Sequence, residues 1–409
     1  MPIYNKKLLF FITIIFLITT ACNKKVVTSP VILPESNFTL LQKDHIPESD
    51  NYVRGGILLN QENNPRFMER QWQGTPSIGR DRNKVLYAGW ISGGDWIIGL
   101  HGEGIHNYVT VSVSIDDGKT WLHNKLIIYV EPTDSTRLKD VSFFNDKFGN
   151  LYMVWAKHVQ TQNTKEWSIV WYSKIELVGA NIRYSPPRKI AEGSMLNKPF
   201  YSETRNKIYF PIARWYEGDP VKHQPFIYEG RYDTAFNHLV DFKNVGFIPM
   251  DRPLRTIYEH MIVELKDSSF LGMSRTTDGI YFSKSKDGIT WDNAQKFTGI
   301  GQTTPSRFHL SKLNSGRLLL IANNSNMRRN LRAFLSEDDG KTWPYVLTLD
   351  ARFWTTYPDV VEGENGDLKI VYDFERWPSG TVYYLNINER DILRGTTSKF
   401  NRVIISTLK

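Results

Sequence analysis

The sequence predicts an all-β fold, a six-bladed β-propeller of four-stranded antiparallel blades, on three observations. The first is a succession of short β-branched and aromatic runs, each bounded by Gly, Asp, Asn or Ser. They include Val109–Ser114, Leu151–Trp155, Ile208–Ala213, Phe270–Ser274, Leu318–Ala322 and Leu368–Tyr372. No long amphipathic helical pattern competes with them. The second is a turn of the form S-x-D-x-G-x-T-W, at Ser114–Trp121 and Ser336–Trp343, with a shortened copy at Ser285–Trp291. Its Ser and Asp can bond backbone amides, its Gly supplies positive φ, and its Trp packs the turn onto the sheet. The third is a tighter turn leading into an apolar strand, at Lys147–Leu151, Asn314–Leu318 and Glu364–Leu368, with variants at Asp81–Val85 and Lys266–Phe270. Blade starts then fall near Pro76, Asp140, Lys198, His260, Arg307 and Pro358, about 50–60 residues apart.

Composition agrees. With 41% hydrophobic and 13% aromatic residues among 409, the chain can bury a large core, which excludes global disorder. Twenty-eight Gly and 19 Pro without a triplet period exclude collagen. A single Cys excludes a disulfide scaffold or a thiolate zinc cluster.

The chain opens with Lys6 and Lys7, the apolar run Leu8–Ile18, and Thr19-Thr20-Ala21-Cys22. This is the pattern of a secretory signal whose small-residue site precedes a Cys, so residues 1–22 are expected to be a bacterial lipoprotein signal with Cys22 lipidated. The apolar run is short for a permanent membrane span. The expected location is extracytoplasmic (periplasmic or cell-surface), with the protein anchored to the membrane by lipid. Residues 23–50 lack a sustained period and contain three Pro, and are read as a tether. Residues 51–409 are read as one propeller, with 51–60 (NYVRGGILLN) closing the ring by pairing with the last blade.

Lys6 and Lys7 account for two of the eight net positive charges, leaving the mature chain at +6. That suits an acidic glycan partner. Nucleic acid is a poor fit, because the basic residues are dispersed and no recognition motif occurs. Nine scattered His without an H-E-x-x-H motif or H-x₃-H pair point to no metal, and no dinucleotide or Walker fingerprint points to a cofactor.

The eight-residue turns are similar to the Asp boxes of the sialidase superfamily. Over about residues 66–395 the chain resembles the sialidase-related BNR-repeat proteins more closely than true sialidases. The stretches Arg70–Pro76, Asn107–Val109, Asn197–Pro199 and Ser306–Phe308 carry that likeness. The resemblance implies a Tyr nucleophile activated by a Glu base, an Asp acid/base, and three Arg clamping a substrate carboxylate. A neutral phenol avoids the repulsion an anionic sugar would impose on a carboxylate nucleophile, and sialidases depart from the two-carboxylate rule accordingly. Thr356-Tyr357-Pro358-Asp359 resembles the family's nucleophile segment, making Tyr357 the nucleophile candidate. Glu259 matches the base, and Arg275 and Arg328 match two of the clamp arginines.

Blade one departs from the pattern. Gly74-Thr75-Pro76 stands where the family has Arg-Ile-Pro, so the first clamp arginine is missing, and Arg70 is the candidate to reach in instead. Asp95 matches the acid/base position loosely. Glu103, with His101 and His106, offers competing proton donors and substrate contacts. Arg137, Asp140 and Arg307 lie near expected inner strands, where they either line the pocket or bridge blades. Arg307 is carried as a substrate-binding candidate.

The expectation is an exo-glycosidase that removes a terminal acidic sugar from a glycan with retention of configuration. Two alternatives stand beside it. One is a propeller polysaccharide lyase or other-sugar hydrolase, working through Tyr and His101, His106 or His260. The other is a non-catalytic glycan-binding lipoprotein.

Overall fold

The computed structural model describes residues 55–60, 67, 70–93, 104, 107–130, 136–159, 167–214, 223–396 and 401–408. Residues 1–22 with Cys22, expected to be a signal, residues 23–50, expected to be a tether, and Asp95, Glu103, His101 and His106 lie outside the described residues.

Six antiparallel sheets form a six-bladed propeller. The first blade contains β1 (Ile57–Leu59), β2 (Trp72–Arg80), β3 (Leu86–Gly93), β4 (Tyr108–Ser114) and β5 (Leu122–Tyr129). The second contains β6 (Thr136–Asn145), β7 (Leu151–Val159), β8 (Trp167–Val178), β9 (Asn181–Tyr184) and β10 (Arg188–Glu192). Blade three has β11 (Phe200–Ser202), β12 (Lys207–Ala213), β13 (Pro225–Asp233) and β14 (His238–Phe247). Blade four has β15 (Arg255–Glu264), β16 (Phe270–Thr276), β17 (Gly279–Ser285) and β18 (Gln295–Lys296). Blade five has β19 (His309–Lys312), β20 (Leu318–Asn323), β21 (Leu331–Ser336) and β22 (Tyr345–Asp350). Blade six has β23 (Thr355–Glu362), β24 (Asp367–Phe374), β25 (Thr381–Asn388) and β26 (Arg402–Ser406), with the short helix α1 (Glu389–Arg394) before its last strand.

The repeated turns do what their chemistry dictates. Each Asp box joins the third and fourth strands of its blade. In the first, Ser114 Oγ donates to Asp116 Oδ1 at 2.8 Å and accepts from the Gly118 amide at 2.9 Å. The Thr120 amide returns to Asp116 at 2.9 Å, and the Trp121 indole donates to the Gly118 carbonyl at 3.2 Å. The Ser336 copy repeats these bonds, and the shortened Ser285 copy keeps the Asp, Gly and Trp bonds. Gly118 and Gly340 have φ of 84° and 82°, which a side chain would make costly. The tighter turns lie between first and second strands, where Leu151, Leu318 and Leu368 enter the core.

Apolar clusters fill the six seams between neighbouring blades. Ring closure differs from the expectation. β1 pairs with β5 of its own blade, Ile57 opposite Tyr129, not with the last blade. The outer edge of blade six is already taken by β26, paired to β25, so every blade is continuous in sequence. Blades six and one instead meet through side chains, with Val371, Val382 and Tyr384 against Ile78, Leu86 and Trp90.

Three inner strands break register at matching places: between Gly74 and Ser77 in β2, Lys139 and Ser142 in β6, and Thr356 and Asp359 in β23. Within each break one residue takes the left-handed conformation: Thr75 (φ 57°), Asp140 (φ 62°) and Tyr357 (φ 55°). A bulge re-aims a side chain out of the sheet's alternation, and a non-glycine residue at such a φ costs about 1–3 kcal/mol.

Candidate active site

Tyr357 sits at the bulge of β23, buried. Its hydroxyl donates to Glu259 Oε1 at 2.7 Å. Glu259 lies where β15 also loses register against β16, and is itself buried. Arg275, near the end of β16, donates through Nη1 to Glu259 Oε2 at 2.8 Å and to the Tyr357 oxygen at 3.0 Å. These three side chains from blades four and six form a closed triangle. Arg328, in the loop between β20 and β21, has its guanidinium carbon 5.7 Å from the centre of the Tyr357 ring.

Burial pushes the Tyr357 phenol up and the Glu259 charge pushes it the same way, while Arg275, Arg376 and Arg328 pull it down. Burial works against the Arg275 charge, but Glu259 and Tyr357 outweigh it and hold the guanidinium firmly protonated. The phenol is therefore neutral at rest, bonded to a carboxylate able to take its proton, with cations placed to favour the phenolate.

The residue that sequence reasoning missed is Arg376, in the loop after β24. Its guanidinium carbon lies 3.8 Å from the centre of the Tyr357 ring, nearer than Arg328. Its Nε donates to Asp373 Oδ2 at 2.8 Å, and the same oxygen accepts the Thr75 amide at 2.8 Å. Thr356 Oγ1 donates to the other oxygen of Asp373. A signal was present: Arg275 lies at the end of the second strand of blade four and Arg328 follows the second strand of blade five, and blade six carries Arg376 just after its own second strand.

Arg70 does not take the missing position. Its Nε donates to the Phe67 carbonyl at 3.2 Å, and its Nη atoms reach Gln73, Thr110, Asn124 and Ser406 within blade one and its seam with blade six. Arg307 is likewise corrected from a substrate contact to an interblade bracket. It is 1% exposed, donates to Asn197 Oδ1 and the Pro76 carbonyl at 2.8 Å each, and lies 3.7 Å from Asp359.

Asp359, two residues beyond Tyr357, anchors a separate buried cluster. It meets Lys198 Nζ at 2.9 Å, His309 Nδ1 at 3.1 Å, Ser77 Oγ at 2.5 Å and the Ile78 amide at 2.9 Å. Burial opposes its charge, but Lys198, His309 and Arg307 overcome that and hold the carboxyl well below the usual range. A cavity of about 590 Å³, lined by Lys198, Glu264, His309 and Glu362, lies beyond this cluster toward the far ends of the inner strands. Neither Tyr357 nor Glu259 lines that cavity. Asp140 is buried beside Lys139 Nζ at 3.8 Å, and Arg137 pairs opposite His158 in β7.

Phe353 and Trp354, just before β23, and Trp377, in the loop after β24, are 46%, 56% and 58% exposed. Their loops are joined: the Trp354 amide donates to the Arg328 carbonyl at 2.6 Å, and the Glu375 amide to the Trp354 carbonyl at 3.1 Å.

Residues 244–370 match the BNR repeat-like domain. The Hadza microbial sialidase Hz136 superposes with a TM-score of 0.61 at 15% identity, over 79% of this chain and 67% of its own. The NanB sialidase of Streptococcus pneumoniae gives 0.58 at 13%, over 80% and 70%. The fold is a β-propeller like that of these two sialidases. The same fold is that of an α-L-arabinofuranosidase from Fusarium graminearum, with a TM-score of 0.50 at 12% identity over 83% and 98% of the two chains. No curated protein matches this chain in sequence. At these identities the neighbours establish architecture, while the chemistry must be argued from the side chains.

Proposed function

We propose that this propeller is a retaining exo-glycosidase that removes a terminal acidic sugar from a glycan. The observation that carries the reading is the 2.7 Å bond from the Tyr357 hydroxyl to Glu259, closed into a triangle by Arg275. The phenolic oxygen attacks the anomeric carbon as the bond to the leaving oxygen breaks, and Glu259 takes the phenolic proton. A general acid protonates the leaving oxygen, for which Asp95 and Glu103 are the sequence candidates. Water then attacks the same carbon and gives its proton to the conjugate base of that general acid, while the bond to the Tyr357 oxygen breaks and Glu259 returns its proton to Tyr357. Two inversions give retention.

Arg275, with Arg328 beside the Tyr357 ring, favours both the developing phenolate and an anionic substituent on the sugar. The exposed Trp354 and Trp377 offer apolar faces to the C–H groups of sugar rings, which favours a glycan over a small anion.

The test is release of 4-methylumbelliferone from its sialic-acid glycoside, with glucuronide and arabinofuranoside in parallel, by the protein and by Tyr357→Phe. The reading expects turnover of at least one acidic glycoside and its loss in the variant. Unchanged turnover in Tyr357→Phe would sink the nucleophile assignment. Turnover of the neutral glycoside alone would sink the acidic substrate.

A further inference from the structure

We infer that Arg376 is the specificity-determining arginine of this site, reaching across the seam between blades six and one through the space that Gly74 leaves open to bind the acidic group of the sugar. The inference rests on the glycosidase reading above and names the residue that selects the substrate's charge.

Two independent observations carry it. First, position 74 and Arg376 are matched in space. A β-carbon built on Gly74 would lie 2.8 Å from both Cγ and Cδ of Arg376 and 2.9 Å from its Nε. No real β-carbon sits so close, and the clashing atoms include the middle of the side chain, which Asp373 holds through Nε. Any side chain at 74 therefore displaces Arg376. Glycine here gives close approach, and the arriving group is a cation.

Second, the cation is aimed and held. Asp373 is fully buried and bonded to the Thr75 amide of blade one, the Thr356 hydroxyl of blade six and Arg376 itself. This bracket ties the bulges of β2 and β23 together and sets the guanidinium 3.8 Å from the centre of the Tyr357 ring. With Arg275 at 3.0 Å from the hydroxyl and Arg328 beside the ring, three guanidinium groups gather around one phenol. Glu259 and Asp373 neutralise two of these three guanidinium groups, so with a neutral phenol the cluster keeps one net positive charge to attract an anionic ligand. Arg376 approaches from blade six, so the acidic group binds on the Tyr357 side of the seam, away from Arg70.

The experiment measures calorimetric affinities of two acid–ester pairs. They are 2-deoxy-2,3-didehydro-N-acetylneuraminic acid with its methyl ester, and methyl glucuronoside with its methyl ester. The acid-to-ester ratio within one variant cancels any loss of folded protein. Loss of one charge-assisted contact in a desolvated site corresponds to about 30-fold or more in affinity. The purified protein is expected to prefer at least one acid by that factor. Arg376→Gln and Gly74→Ala should both bring the ratio to within about threefold, while Arg329→Gln, a neighbouring guanidinium stacked on Phe353, should keep it. A preference that survives in Arg376→Gln overturns this inference and leaves the glycosidase reading standing. Absence of any acid preference in the unaltered protein overturns both.

Discussion

Glu259→Gln is the most informative single change, because the two bonds it weakens report different things. Glu259 is 1% exposed and accepts from Tyr357 at 2.7 Å and Arg275 at 2.8 Å. An amide keeps the shape, but the two donors meet separate oxygens and one of these becomes an NH2 donor, and Arg275, itself 7% exposed, loses its counter-charge. Breaking a buried ion pair costs about 3–5 kcal/mol, an upper figure here because the amide oxygen still accepts one bond. Loss of the base should reduce turnover by about 10²–10⁴ at neutral pH. The pH profile separates these causes. The Glu259 charge raises the Tyr357 phenol, so its removal makes the phenolate easier to form. Turnover in the variant should therefore climb toward alkaline pH, about tenfold per unit, as hydroxide replaces the missing base. The assay is hydrolysis of the preferred acidic glycoside from pH 5 to 9, alongside urea unfolding of the same preparations. Turnover within tenfold of the original across that range would refute the base. A loss that stays flat with pH and tracks the unfolded fraction would reduce the triangle to a structural device.

Two further outcomes follow from buried groups. Asp359→Asn leaves Lys198 and Arg307 buried with less neutralisation, and should destabilise the propeller by about 3–5 kcal/mol in urea unfolding; a change under about 1 kcal/mol would show that the cluster contributes little. His260 is fully buried, its ring facing the Phe226 carbonyl at 2.7 Å, and burial lowers its pKa to about 4. The unfolded chain then binds the proton first, so stability is full above about pH 6.5 and falls as pH drops toward 4, by about 3 kcal/mol in all. His260→Gln should flatten that part of the stability–pH curve, and an unchanged slope would place the acid sensitivity elsewhere.

The blades were legible in sequence because their signals are local. An Asp box closes its bonds within eight residues, and the turn entering each second strand closes within five. Any chain segment with Ser, Asp, Gly and Trp at those spacings satisfies the same donors, wherever it lies in the molecule. Tyr357, Glu259, Arg275 and Arg328 were reached by their order along the blades, and they do stand around one ring. Ring closure is not legible in sequence because β1 and β26 are both short strands near the two ends of the propeller, and only the pairing of β26 with β25 decides which one holds the last edge.

What the sequence determined by itself is the repeat, hence the all-β propeller and the set of positions that face its axis. The tertiary structure decided which of those positions meet. Arg70 is near Gly74 in sequence and was the natural substitute for the absent arginine, yet blade one and its seam absorb its guanidinium. Arg376 is about 300 residues away and lies against Gly74, because a closed ring brings its last blade to its first. Register breaks at Thr75 and Tyr357 then turn those residues out of the strand alternation, and no local pattern announces them. They are held by bonds to Asp373 and Glu259 that exist only once six blades have closed.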